Sequence, residues 1–208
     1  MFYVSEIFTP APETFQTPLQ ERTYAALAAL GLPYERVETD EAITMEDCVQ
    51  IDEKLQMKMV KTLFLCARHQ SAFYLFVTAG DKPFRSSAFS AALDTARVSF
   101  APAEKMRELL GTKIGAATVF SGLLESAKDV RFVLDRDVLR EEFYGCSDAR
   151  RPVISSSGRR TLWSSCSPIW AIRPRSSTCE VKTAPPDVFL RRGFSLIAVI
   201  SQAIRCRG

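Results

Sequence analysis

Residues 57–84 read MKMVKTLFLCARHQSAFYLFVTAGDKPF. Two apolar runs, KTLFLCA and SAFYLFVTA, flank the polar RHQ, which is the pattern of a β-hairpin. Both faces of the first run are apolar, with Leu63 and Leu65 on one side and Phe64 and Cys66 on the other. Strands of that kind lie inside a sheet that is covered on both faces. The one charge in the run is Lys61, at its entry. A lysine there either snorkels its ammonium to water from a strand end or presents a point charge to an anion. Lys58, three residues earlier, is expected to be solvated.

Upstream, Thr17, Pro18 and Gln20 read as an N-cap, a first helical residue and a capping box. They open a helix that Gly31 closes and that Pro33 keeps from resuming. PYERVET is a short strand, and Thr44 is expected to cap a second helix, MEDCVQIDEKL. Downstream, GDKPF is a turn with a capped helix, SSAFSAALD, after it. ARVSFA is then a strand, PAEKMRELLG a helix between Pro102 and Gly111, KIGAATVFSGLL a glycine-bearing loop entering a helix or strand, and DVRFVLDRDVL a strand. The order predicts an α/β or α+β domain, a central sheet with helices packed on it.

The chain of 208 residues is long enough for one domain with a real core. Its net charge of +3 hides a split. Residues 149–208 hold ten Arg and one Lys against Glu180 and Asp187, a balance of +9, which leaves −6 for the first 148. The six cysteines form no C-x-x-C pair and His69 is the sole histidine, which argues against zinc. The start MFYVSEIFTPAPETF lacks the basic and apolar regions of a signal peptide. The late apolar run FSLIAVISQAI is too short to span a bilayer. Free thiols in the cytoplasm are the expectation.

From Ala149 onward neither a period of 2 nor one of 3.6 survives, and ten serines and ten arginines are scattered through the segment. A disordered basic tail and a nucleic-acid-binding arm are two accounts of it. A third is a slipped reading frame. With suitable synonymous codons, one nucleotide restored after the codon for Asp148 turns DARRPVISSSGRRT into DGTTTGYIKLRTAD, a Thr-rich turn followed by an alternating segment. The domain organisation expected is therefore a loose arm over 1–16, a folded domain over 17–148 and an aberrant basic tail over 149–208.

VKTLFLCARHQSAFYLFVTAGDKPF, ARVSFA, MRELLG, GAATVFSGLL and VRFVLDRDVL resemble, in order and spacing, the YbaK/ProX family. Its members are free-standing relatives of the editing domain inserted in bacterial prolyl-tRNA synthetases. The resemblance runs from about Pro18 to Asp148 and is nearest the ProX (PrdX) type. It implies a strongly curved mixed sheet with packed helices. It also implies hydrolysis of the ester that joins a wrong amino acid to tRNA(Pro), Ala-tRNA(Pro) above all, without metal or other cofactor. The partner implied is the acceptor end of a mischarged tRNA, with no DNA and no membrane. The alternatives are a non-catalytic module of the same fold that binds tRNA or RNA ends, and an inactive frameshifted product. The acidic first 148 residues weigh against broad nucleic-acid affinity.

The family's functional lysine falls on Lys61. Its small-residue loop, often G-x-x-x-P, falls on Gly115, Ala116, Ala117, Thr118 and Val119, with Val119 in place of the proline. Backbone N–H groups there would hold the ester carbonyl while charge develops on it, although a plain turn would carry the same glycines. A Gly-Cys-His-Pro-like turn lining the pocket falls on Gly145 and Cys146, with Ser147 and Asp148 departing from the pattern. The implied attack is by water, assisted by the terminal ribose hydroxyl, with Lys61 holding the 3′-terminal phosphate or ribose. Cys146 has no histidine near it in sequence, so a Cys/His mechanism has little support.

Overall fold

The computed structural model describes residues 2–40, 45–138, 143–149, 153–157 and 188–190. Thr44, Cys166, Cys179, Cys206 and the apolar run 194–204 lie outside them. Helix α1 (Pro18–Leu30) begins where the sequence places it, with the Thr17 hydroxyl accepting from the Gln20 N–H at 3.0 Å. The Gln20 side chain reaches back to the N–H of Gln16 rather than to that of Thr17. Gly31, at φ 60°, ends the helix by donating to the Ala28 carbonyl.

Strand β1 (Tyr34–Val37) and helix α2 (Met45–Leu55) follow, and then the hairpin, β2 (Val60–Ala67) and β3 (Phe73–Ala79). The chain continues through α3 (Ser86–Ala92), β4 (Val98–Phe100), α4 (Ala103–Leu110) and β5 (Arg131–Asp135). The stretch expected to be a helix or strand after Gly115 is a 3-10 turn, Val119–Leu123. Three further strands are described: β6 (Phe143–Ser147), β7 (Val153–Ser157) and β8 (Val188–Leu190).

The strands form a five-stranded sheet, β4-β2-β3-β5-β8, and a three-stranded sheet, β1-β7-β6. In the larger sheet β3 and β5 run parallel and the other pairs antiparallel, so the sheet is mixed. β2 and β3 are both interior, as their two apolar faces require. One face of this pair packs Phe64 and Leu75 on Met106 and Leu110 of α4, and Val77 on Leu19, Tyr24 and Leu27 of α1 with Val119 and Phe120. The other face packs Leu65, Tyr74 and Phe76 against Phe89 of α3, with Phe84 at its margin.

A parallel bridge from Met59 to Gly145 joins the entry of β2 to β6, and so ties the two sheets together. Residues 2–8 run beside the free edge of β1. Ser5 donates to the Glu38 carbonyl, and Phe8 and Arg36 exchange backbone hydrogen bonds at 2.8 Å. That pairing satisfies edge groups which would otherwise be open.

Candidate active site

Two groups of residues meet at the Met59–Gly145 seam. The first is the loop over 115–119. Gly115 stands at φ 86° with nothing within 4 Å of where a Cβ would project. The Ala116 N–H closes a turn onto the Lys113 carbonyl at 3.0 Å, which draws the Ala116 side chain into full burial. Among the described residues the N–H groups of Gly115 and Ala117 donate to no protein acceptor. Ile114 and Gly115 are exposed, so these two donors lie at an open lip.

The second group is Gly145–Cys146, which the resemblance placed in a turn and the structure places within strand β6, opposite Ser155 and Ile154 of β7. The fully buried Thr118 hydroxyl donates to the Cys146 sulfur at 3.8 Å and accepts from the Phe120 N–H at 3.4 Å. Cys146 and Val119 belong to the same buried cluster as α1. Gly145 is packed so closely on Met57 that a Cβ there would overlap the Met57 Sδ and Cε. The loop 115–119 and the Gly145–Cys146 stretch of β6, far apart in sequence, are thus brought together.

Lys61 is placed differently. Val60 packs toward the cluster that holds Val119 and Cys146, whereas Leu63 packs toward the cluster of Leu65 and Phe76. Strand alternation therefore sends Lys61 out of β2 on the Leu63 face, opposite Val60. Its ammonium donates to the Lys82 carbonyl at 2.7 Å, the one hydrogen-bond partner it has among the described residues, which leaves two donors for a ligand. Lys61, two residues along from the bridge at Met59, and the loop 115–119 lie on opposite sides of β2. Lys58 is exposed.

His69 sits in the hairpin turn, at the far end of β2 from the Met59–Gly145 bridge. The eight residues of β2 between them, at ~3.3 Å each, separate it from the seam by roughly 25 Å. The two groups share no end of the sheet on which a Cys/His pair could form.

Asp148, read as a departure from a proline position, is fully buried. It accepts from the Gln20 side-chain amide at 2.7 Å and from the Tyr24 hydroxyl at 3.1 Å. Burial, with the neighbouring Asp148 carboxylate adding to it, pushes the Tyr24 hydroxyl far above the usual phenol range. These contacts anchor the end of β6 to α1. No local pattern signals them, because the partners lie 128 and 124 residues apart along the chain.

On the other side of the seam, Asp52 in α2 accepts from the Met59 N–H at 2.8 Å. Burial pushes its carboxyl up to about 6, against the lowering effect of that hydrogen bond. Among the described residues no cluster of three or more His, Cys, Asp or Glu is placed to hold a metal ion. Among them, too, no helix is long and apolar enough to cross a membrane.

A mixed sheet, an open lip of small residues and a buried strand segment behind it are accompanied by a match of residues 39–151 to the aminoacyl-tRNA editing domain family. The chain belongs to that family, whose members are deacylases, hydrolases of the ester between amino acid and tRNA. Over 120 residues it is 25% identical to the prolyl-tRNA editing protein ProX of Acetoanaerobium sticklandii, covering 58% of this chain and 73% of that one. The fold is also that of the hypothetical protein APE2540 (TM-score 0.55, 19% identity, 69% of this chain and 92% of that chain). A crystal structure of a candidate trans-editing enzyme for prolyl tRNA synthetase is similar as well (TM-score 0.53, 19% identity, 71% of this chain and 92% of that chain).

Proposed function

We propose that the protein is a trans-editing deacylase of mischarged tRNA(Pro), with Ala-tRNA(Pro) as its substrate. The observation that carries this reading is the pair of N–H donors at Gly115 and Ala117 that have no protein acceptor among the described residues, with open space at Gly115 that lets a ligand come close. The ester carbonyl lies against these donors, where the charge of the tetrahedral intermediate is stabilised. Water attacks the carbonyl carbon, the C–O bond to the ribose breaks, and the ribose oxygen takes a proton to leave as the free hydroxyl. The neighbouring terminal ribose hydroxyl assists the attack.

In this reading the acceptor end lies against the entry of β2, beside the Met59–Gly145 bridge. Lys61 takes the 3′-terminal phosphate on one face of the strand, and the ester reaches the 115–119 loop on the other. Val119, Gly145 and Cys146 form the wall behind the aminoacyl group. Ala116 and Ala117 keep the recess small, so alanine enters and proline is turned away. One methylene of misfit is worth only about 1–3 kcal/mol, so contacts to the tRNA(Pro) acceptor must supply the rest of the selectivity. Such a substrate puts the protein in the cytoplasm. Kinship with the prolyl-tRNA editing protein supports the choice of tRNA.

Residues 149–208 are, on the same proposal, translated out of frame. The family match ends at 151, three residues past the change in composition, which supports this. Sequencing the gene across the codons for Asp148 and Ala149 decides the point.

The functional test offers Ala-, Cys-, Ser- and Pro-tRNA(Pro) to the full chain and to a chain with the frame restored. Ala-tRNA(Pro) should be cleared and Pro-tRNA(Pro) spared, and Lys61→Ala should lower clearance by about tenfold or more. Retention of every misacylated species by both chains refutes the assignment. Binding that persists in Lys61→Ala, without any deacylation by the parent, would mark an RNA-end-binding module instead.

A further inference from the structure

The mouth of the larger sheet holds a connected polar set that the catalytic reading leaves unused. Asp135, at the end of β5, is a buried carboxylate. One of its oxygens accepts from the Thr78 hydroxyl at 2.9 Å and from the Lys82 ammonium at 2.7 Å, and the other accepts from the Asp137 N–H at 3.1 Å. The Lys82 ammonium also meets Asp137 at 2.7 Å. The main chain of Lys82 is held as firmly, since its N–H donates to the Ala79 carbonyl at 3.1 Å and its carbonyl receives the Lys61 ammonium at 2.7 Å. Lys61 lies directly opposite Thr78 in the β2–β3 ladder. An unbroken chain of contacts therefore runs from the buried end of β5, through both ends of Lys82, to the head of Lys61.

We propose that Lys82 is the positioning residue of Lys61, and that the buried Asp135 is its anchor. This rests on the reading of Lys61 as the group that grips the acceptor end. A lysine head on a flexible four-carbon stem must otherwise be ordered when substrate arrives. Clamping the Lys82 side chain onto β5 fixes the turn over 80–82, and with it the carbonyl that holds Lys61 at the strand mouth. A charge pair with one member buried is a weak device for stability alone, because desolvation offsets the attraction. Here its effect is geometric. The hydrogen bonds to Asp135 and then Asp137 also hold the Lys82 ammonium above the usual lysine range, so it keeps its charge while it acts as the clamp.

The test uses the full chain and compares Lys82→Met, Lys82→Arg, the pair Lys82→Met/Asp135→Asn, and Lys61→Ala. The pair is included because Lys82→Met alone leaves Asp135 buried and less well compensated. Trace acetylation of folded protein, read by mass spectrometry at Lys61, reports how firmly that amine is held, whether or not the chain is active. Single-turnover deacylation of Ala-tRNA(Pro), titrated with enzyme, reports binding and chemistry separately.

Labelling of Lys61 should rise about threefold or more in Lys82→Met and in the pair, and return toward the parental value in Lys82→Arg, whose fork reaches both carboxylates. The half-saturating enzyme concentration should rise about tenfold, with the maximal rate changed by less than about twofold. Unchanged Lys61 labelling in both Lys82→Met and the pair overturns the inference and leaves an ordinary ion pair. Parental activity in Lys61→Ala instead removes the role assigned to Lys61, a different failure that the labelling data distinguish.

Discussion

Gly145→Ala tests the close packing at the seam. A Cβ at this position would overlap the Sδ and Cε of Met57, which is itself buried with Val37, Ile51 and Leu55. Met57 must therefore leave its rotamer or push on its neighbours, an overpacking cost of about 1–3 kcal/mol. Met57→Ala alone creates a void and should cost about 2–5 kcal/mol. The two changes address one space, so the double variant should recover part of both. The new methyl group no longer collides, and it partly fills the void. A coupling energy of about 1–2 kcal/mol, favourable to the double variant, is expected. Urea denaturation followed by far-ultraviolet circular dichroism measures all four corners of the cycle. Gly145→Ala alone should lower the melting temperature by about 2–4 °C per kcal/mol lost, the scale for a chain of this size. Additivity of the two single variants to within ~0.5 kcal/mol would refute the contact.

Asp52→Asn should flatten the pH dependence of stability. The folded carboxyl sits at about 6, above the ~3.9 of an unfolded aspartate, so between those values the native state binds more protons. Stability contributed at this site then falls as pH rises from about 4 to about 6 and stays low above that. The full displacement converts to ~3 kcal/mol, and partial solvent exposure reduces it to about 1 kcal/mol. Asparagine keeps an oxygen for the Met59 N–H, so urea midpoints at pH 7.5 should favour the variant and those at pH 4.5 should not; parallel curves would contradict this. Gly115→Ala meets open space but must hold φ 86°, a strain of about 1 kcal/mol. It should cost deacylation about tenfold or more by disturbing the carbonyl donors; a lowered melting temperature with undiminished deacylation would show that the loop does not hold the ester.

The parts of the fold that were legible are those coded by neighbours in sequence. Thr17, Pro18 and Gly31 mark the two ends of α1 because caps are local, and the hairpin is written in two apolar runs around RHQ. The smaller sheet was not legible. Its middle strand falls at 153–157, where no alternation marks a strand, and its partners are distant in sequence. Within the candidate site, the small-residue loop and Gly145–Cys146 were singled out through family resemblance, the latter as a turn where the structure has strand β6, and Thr118 joins the two. The face taken by Lys61 was readable in principle, since Val60 and Lys61 must point oppositely on a strand. The clamp from Asp135 through Lys82 to Lys61, and the burial of Asp148 under Gln20 and Tyr24, depend on pairings that leave no local trace.

The strand at 153–157 lies between β1 and β6 and is joined to both by its main chain. Those ladder bonds come from peptide groups, which every residue except proline supplies in the same form. If the frame shifts after Asp148, as proposed, the side chains beyond it are replaced and the peptide repeat is left untouched. The seat between the two flanking strands can thus be filled by nearly any extended segment at that distance along the chain, while the chemistry displayed on the faces of the sheet is rewritten.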